Sequence, residues 1–77
     1  MTPEELWRGI DRLAAKNGLS ASGLAVRAGL DASVFNQSKR VNNGRPHWIT
    51  LETLSKILKV TNTSLVDFVN LIYLPED

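Results

Sequence analysis

A short central stretch gathers hydrogen-bonding side chains, among them Ser33, Asn36, Gln37, Lys39, Arg40, Asn43 and Arg45. The carboxamides of Asn36 and Gln37 each set a donor beside an acceptor, the pair that matches N7 and N6 of adenine. Lys39, Arg40 and Arg45 carry fixed charge and only donate, which suits phosphate; an arginine fork also matches O6 and N7 of guanine. The charge distribution agrees. The net charge is only +1, yet residues 21–48 hold Arg27, Lys39, Arg40 and Arg45 against Asp31 alone, a local +3. Residues 1–20 balance to zero, and Lys56 and Lys59 against Glu52, Asp67, Glu76 and Asp77 leave −2 in residues 49–77. An anionic partner would select such asymmetry. Catalysis has no comparable support: paired carboxylates, a phosphate-cradling loop and a nucleophile–base pair are all missing. Ser38-Lys39 and Ser55-Lys56 are sequence neighbours that project in different directions on a helix. With no cysteine and one histidine, His47, neither a disulfide, a metal site nor a bound cofactor is expected.

These side chains act together only if the backbone holds them to one side, and capping residues mark how. Thr2, Pro3 and Glu5 read as N-cap, N1 and the N3 member of a capping box. Leu6, Ile10, Leu13 and Ala14 follow at helical spacing until Asn17-Gly18. Ser20 caps a second, short helix with Leu24, Ala25 and Ala28, which Gly29 ends. Asp31 caps a third from about Ala32 to Lys39 or Arg40, its apolar members Val34 and Phe35. Residues 41–48 read as a loop from their Asn, Gly and Pro content. Thr50 caps a fourth helix with Leu51, Leu54, Ile57 and Leu58 on one stripe. Thr63 caps a fifth through Leu65, Phe68, Val69 and Ile72. No strand is expected. One domain, residues 1–74, accounts for the chain, with 75–77 as a tail or the start of a linker to a further C-terminal domain.

Ser20 to Arg40 is the informative segment. Two steeply crossing helices need a small residue at their contact, and Ala25 supplies it. The reversal needs a left-handed residue, and Gly29 stands four positions later. Leu24, Leu30 and Phe35 flank the turn. This is the pattern of a helix-turn-helix, against an ordinary αα-hairpin without a ligand. Leu19-Ser20, Leu24-Ala25, Gly29-Leu30, Ser33 and Phe35, followed by Thr50-Leu51, Leu54 and Ile57-Leu58, resemble the phage-repressor (lambda repressor/Cro-like) family. More narrowly, Phe35 to Arg40 and Gly44 to Trp48 resemble the N-terminal domain of bacterial phage-type repressors.

The resemblance implies an all-α, five-helix domain that binds double-stranded DNA as a transcriptional regulator, a repressor in the main. Its second motif helix, around 32–40, would enter the major groove of a palindromic operator. With Val34 and Phe35 inward, Ala32, Ser33, Asn36 and Gln37 would meet base edges. Lys39, Arg40 and Arg45, with Asn42, Asn43 and the Gly44 N–H, would hold phosphates, Arg40 alternatively guanine. Two departures from the family stand out. A glutamine that grips phosphate is replaced by Ala21, which moves that contact to Ser20, Ser22 or backbone N–H groups. An inward aliphatic residue is replaced by Ser38, which anchors the third helix lightly or leaves Val41 and Trp48 to cover the gap. His47 is read as bonding phosphate or backbone, Trp48 as a lid on the core, Trp7 as core edge and Arg27 as facing water.

The fifth helix is more apolar than one buried stripe requires, which points to a second covering partner. A weakly associating homodimer is the expected form. The rival reading is a protein-interaction module acting through that helix without DNA. The acidic N-terminus lacks the apolar region of a signal peptide, and no stretch reaches the ~20 apolar residues of a membrane span. The expected location is the cytoplasm.

Overall fold

Thr2 starts the first helix as its sequence predicts. Its hydroxyl accepts from the Glu5 N–H at 3.2 Å, and the Glu5 carboxylate accepts from the Thr2 N–H at 2.8 Å. The Thr2 backbone bond holds the Glu5 carboxyl below its ordinary value. In the computed structural model, which describes residues 1–75, this box opens α1 (Pro3–Lys16). Ser20 opens α2 (Ala21–Arg27), its hydroxyl accepting from Gly23 N–H at 3.0 Å. Thr50 opens α3 (Leu51–Val60), and α4 spans Leu65–Ile72.

The first three helices end alike. Leu19, Leu30 and Thr63 donate backbone N–H groups to Ala14, Ala25 and Leu58 at 2.9 Å, each just after a left-handed residue: Gly18, Gly29 and Asn62. Closure of this kind satisfies carbonyls that a helix end leaves orphaned. It also corrects the expected start of the last helix. Thr63 is committed to the end of α3, and Ser64 caps α4 instead, accepting from Asp67 N–H at 3.0 Å.

Four α-helices form among the described residues, not five. The expected third helix is absent, and the expected loop contains a two-stranded antiparallel hairpin: β1 (Val41–Asn42) pairs with β2 (Arg45–Pro46), Val41 opposite Pro46. The physical signal for the hairpin is the dipeptide at its tip. A type I′ turn needs positive φ twice, and Asn43 and Gly44 adopt 55° and 76°. The expected tail begins at Pro75; residues 76 and 77 lie outside the described residues.

The core is built mostly on α1. Leu6, Trp7, Ile10, Leu13 and Ala14 pack with Leu24 and Ala25 of α2, Phe35, Ile57 of α3, and Phe68 and Ile72 of α4. Trp7 is buried within this core and also lines a groove with Gln37, Val41 and Pro46, at the core's edge as expected. Trp48 is half exposed and no lid, because Ile49 packs on the core beside it. Leu51 leaves the expected stripe of α3 and is 81% exposed. Arg12 ties α1 to the far end of the chain: its guanidinium donates to the carbonyls of Leu71, Ile72 and Leu74 at 2.7, 3.2 and 2.8 Å. A cation there meets the negative end of the α4 dipole.

Gly9 lets α1 and α4 touch. A Cβ at this position would lie 2.6 Å from Ile72 Cγ1 and 2.9 Å from Phe68 Cζ. Gly9→Ala is therefore expected to cost about 1–2 kcal/mol in chemical denaturation, although alanine favours helix. In an Ile72→Ala background, which removes the Cγ1 atom that the new Cβ would meet, the same Gly9→Ala change should cost less.

Candidate nucleic-acid interface

Phe35 and Arg40 both point inward, and that fact decides the shape of the central segment. Five residues apart on an α-helix, they would face about 140° from each other. The chain satisfies both by breaking. Backbone bonds run three residues back, from Val34 to Asp31 and from Asn36 to Ser33, in place of an α-helical ladder. Asn36 then turns extended, at φ −63° and ψ 151°, before a single 3-10 turn over Gln37–Lys39. Asp31 favours this path. Its carboxylate accepts from Ser33 N–H at 2.8 Å and Ser33 hydroxyl at 2.6 Å, and these bonds hold its pKa below the ordinary value. Asn36 and Ser38 add residue types that compete with the helix backbone.

Arg40 is the largest departure from the sequence expectation. It is buried, with 7% of its surface exposed, so it is neither a phosphate clamp nor a guanine reader in this conformation. Its two terminal nitrogens donate to the Asp11 carboxylate at 2.7 and 2.8 Å, and Nε donates to the Phe35 carbonyl at 3.0 Å. The guanidinium carbon sits 4.8 Å from the Trp7 ring centroid. All three guanidinium nitrogens are thus engaged within the fold. Ser38 is exposed, and the anchoring expected of an aliphatic residue there falls to Arg40.

The base of the hairpin is fixed to the same cluster. The His47 N–H donates to the Arg40 carbonyl at 3.0 Å, and the Trp7 indole donates to the His47 carbonyl at 2.9 Å. The imidazole meets the carbonyls of Trp48 and Lys39. Of its expected options, His47 thus takes the backbone.

Four of the remaining candidates line two separate surfaces. Ser20, Ser22 and Ala32 line one cleft of about 390 Å³ with Leu19, Gly23, Val26 and Arg27. Arg27, read as merely solvated, is the last residue of α2 and lines the same cleft; no pattern in the sequence marks it. The Ser20 and Ser22 hydroxyls lie 3.1 Å apart. Gln37 lies elsewhere, on a groove formed with α1, Arg40, Val41 and Pro46. Asn36, Lys39, Asn43 and Arg45 are exposed. Ser33 is half-buried and spends its hydroxyl proton on Asp31, which leaves it only as an acceptor. The described residues hold no group of acidic, histidine or cysteine side chains placed for a metal ion, and no helix long and apolar enough to cross a membrane.

Ser20-capped α2, the Gly29 turn and a polar, cation-bearing segment after it define a helix-turn-helix domain whose second element is irregular. The model of the Cro/C1-type HTH DNA-binding domain matches residues 8–73, and the chain belongs to that family. No curated protein and no solved structure matches the chain. Family membership makes this a DNA-binding domain of the kind found in transcription regulators, a class that is typically not enzymatic.

The Arg40–Asp11 pair should carry stability rather than DNA affinity. Arg40→Ala is expected to cost about 1–3 kcal/mol, since the arginine is buried but Asp11 is half exposed and screened. Asp11→Ala should cost at least as much, because it strands a buried guanidinium, whereas Arg40→Ala leaves a carboxylate that water can reach. In a urea-denaturation double-mutant cycle, the combined loss should fall short of the sum.

Proposed function

We propose that the chain binds double-stranded DNA sequence-specifically and regulates transcription, as a repressor that occupies its operator. The observation that carries this reading is the separation of the central cations. Arg40 is taken inward, while Arg27, Lys39 and Arg45 remain on the surface against Asp31, which Ser33 engages. Ser20, Ser22 and Arg27 contact phosphate on one flank, and Lys39, Asn43 and Arg45 on the other. Between them Ala32, Ser33 and Asn36 face base edges in the major groove: Ala32 a thymine methyl, the Asn36 carboxamide adenine, and Ser33 an amino group through its acceptor lone pairs. Gln37, on the groove beside α1, lies off that face. Phosphate contacts set register and supply the salt-dependent affinity; the base edges supply selectivity. The likeness of residues 35–40 and 44–48 to phage-type repressors supports the repressor role.

The domain acts as a weak homodimer on a palindromic operator, with reading elements ~34 Å apart. The support is α4. Phe68 and Ile72 are buried, yet Leu65, Val66 and Tyr73 on the same helix and its end are 55%, 69% and 53% exposed. That same face favours the second reading, a protein-interaction module that does not need DNA.

The test is fluorescence anisotropy of random-sequence duplex across a salt series. Wild type should bind with an affinity that falls steeply with salt. Lys39→Ala/Arg45→Ala should bind more weakly, with a log–log salt slope smaller by about 2, near 0.9 for each phosphate left without its cation. Its melting curve should match the wild type, since both side chains are exposed. No binding at low salt and high concentration would reject the DNA reading in favour of the protein-interaction one. Sedimentation equilibrium addresses the dimer: Val66→Glu should abolish concentration-dependent association, and a strictly monomeric wild type without half-site cooperativity would remove the homodimer.

A further inference from the structure

Few parts of this small chain combine a fixed base with a fully exposed tip as the hairpin does. Each residue from Val41 to Arg45 is exposed, and none belongs to the core. An isolated two-stranded hairpin is at best marginally ordered in water. Here the order comes from the base. Trp7 and Arg40 hold His47 through bonds of 2.9 and 3.0 Å to its backbone, and the Asp11 carboxylate holds Arg40 in turn. The tip carries Asn42, Asn43, Gly44 and Arg45, which are rich in donors and contain no carboxylate. Nothing lies within 4 Å of where a Gly44 Cβ would be. The fold therefore presents a narrow, preorganised, cationic projection next to the exposed Gln37–Lys39 turn.

We propose that this tip is a second DNA-reading element, seated in the minor groove beside the major groove faced by the central segment, where Asn43 and Arg45 select A·T over G·C pairs. The proposal rests on the DNA-binding reading above and gives Asn43 and Arg45 a role beyond phosphate contact. The dimensions suit it. The minor groove is about 6 Å wide, too narrow for a helix or a two-stranded ribbon, so only the extended side chains at the tip enter it, and Gly44 adds no bulk beside them. The chemistry suits it too. The floor of an A·T minor groove offers only the acceptors N3 and O2, which the Asn43 amide and Arg45 fork can meet as donors. Guanine adds an amino group that meets the donor-only guanidinium and blocks approach. Narrow A·T tracts also concentrate negative potential, which draws arginine into the groove. The irregular central segment gives this element its purpose, since a single 3-10 turn carries fewer base-facing positions than a full recognition helix.

Three short alternating duplexes decide the matter: dA-dT, dG-dC and dI-dC. Inosine–cytosine keeps the major-groove acceptors and donor of G·C but lacks the minor-groove amino group. Anisotropy at one low salt concentration should show dI-dC bound about tenfold more tightly than dG-dC, a comparison that the adenine contacts of the major groove do not enter. Asn43→Gly/Arg45→Ala, which keeps a residue suited to positive φ at 43, should weaken binding to every duplex and erase the difference between dI-dC and dG-dC. Arg45→Gln alone should reduce the difference without altering the circular dichroism spectrum. Binding of dI-dC at the level of dG-dC, or an undiminished preference for dI-dC over dG-dC in the double variant, would overturn the proposal. Absence of salt-dependent binding of the wild type to all three duplexes would instead remove the DNA-binding reading itself, and the minor-groove element with it.

Discussion

The ion pair between Arg40 and Asp11 governs the half of the molecule that meets solvent with polar side chains. A guanidinium cannot be buried without partners, because the loss of hydration far exceeds what packing returns. Here carboxylate, carbonyl and aromatic face each take one part of it. Once that arrangement is made, Phe35 and Arg40 are fixed relative to α1, and the chain between them has one way to run. The hairpin follows, since its base hangs on the Arg40 carbonyl. A single long-range contact thus sets the path of the central segment and the direction of the projection beyond it.

The helical framework rests on different physics. Local signals dominate: an N-cap hydroxyl starts each helix and a left-handed residue ends three of them. Apolar spacing then turns the faces inward. The tight approach at Gly9 and the bonds from Arg12 to the end of α4 join the two ends of the chain. The framework therefore tolerates an irregular central segment, because no helix depends on that segment for its caps.

The same division explains how much is legible in the residues. Thr2, Ser20 and Thr50 announce their helices because a cap acts over three positions, and the same holds for Ala25 with Gly29. The third helix misleads because Asp31, Val34 and Phe35 satisfy a helical pattern locally, while the reason for breaking it lies in Asp11, 29 residues from Arg40. Arg40 reads as a surface cation for the same reason: charge is visible in sequence and its partner is not. The hairpin is legible in Asn43-Gly44, but the same two residue types also mark an ordinary loop. Thr63 yields the cap to Ser64 because three hydroxyl residues compete there, and only the closure of α3 decides between them.

The break at Asn36 has a consequence for how the surface can change over evolutionary time. In a regular recognition helix each exposed position must also sustain helix, which penalises glycine, proline and β-branched residues. Here Phe35 and Arg40 hold the ends, and positions 36–39 span the interval with little regular structure of their own. Selection on those four side chains is released from helix propensity. On the DNA reading proposed above, the domain can draw on a wider alphabet when its target sequence drifts, while Phe35 and Arg40 keep the segment in place.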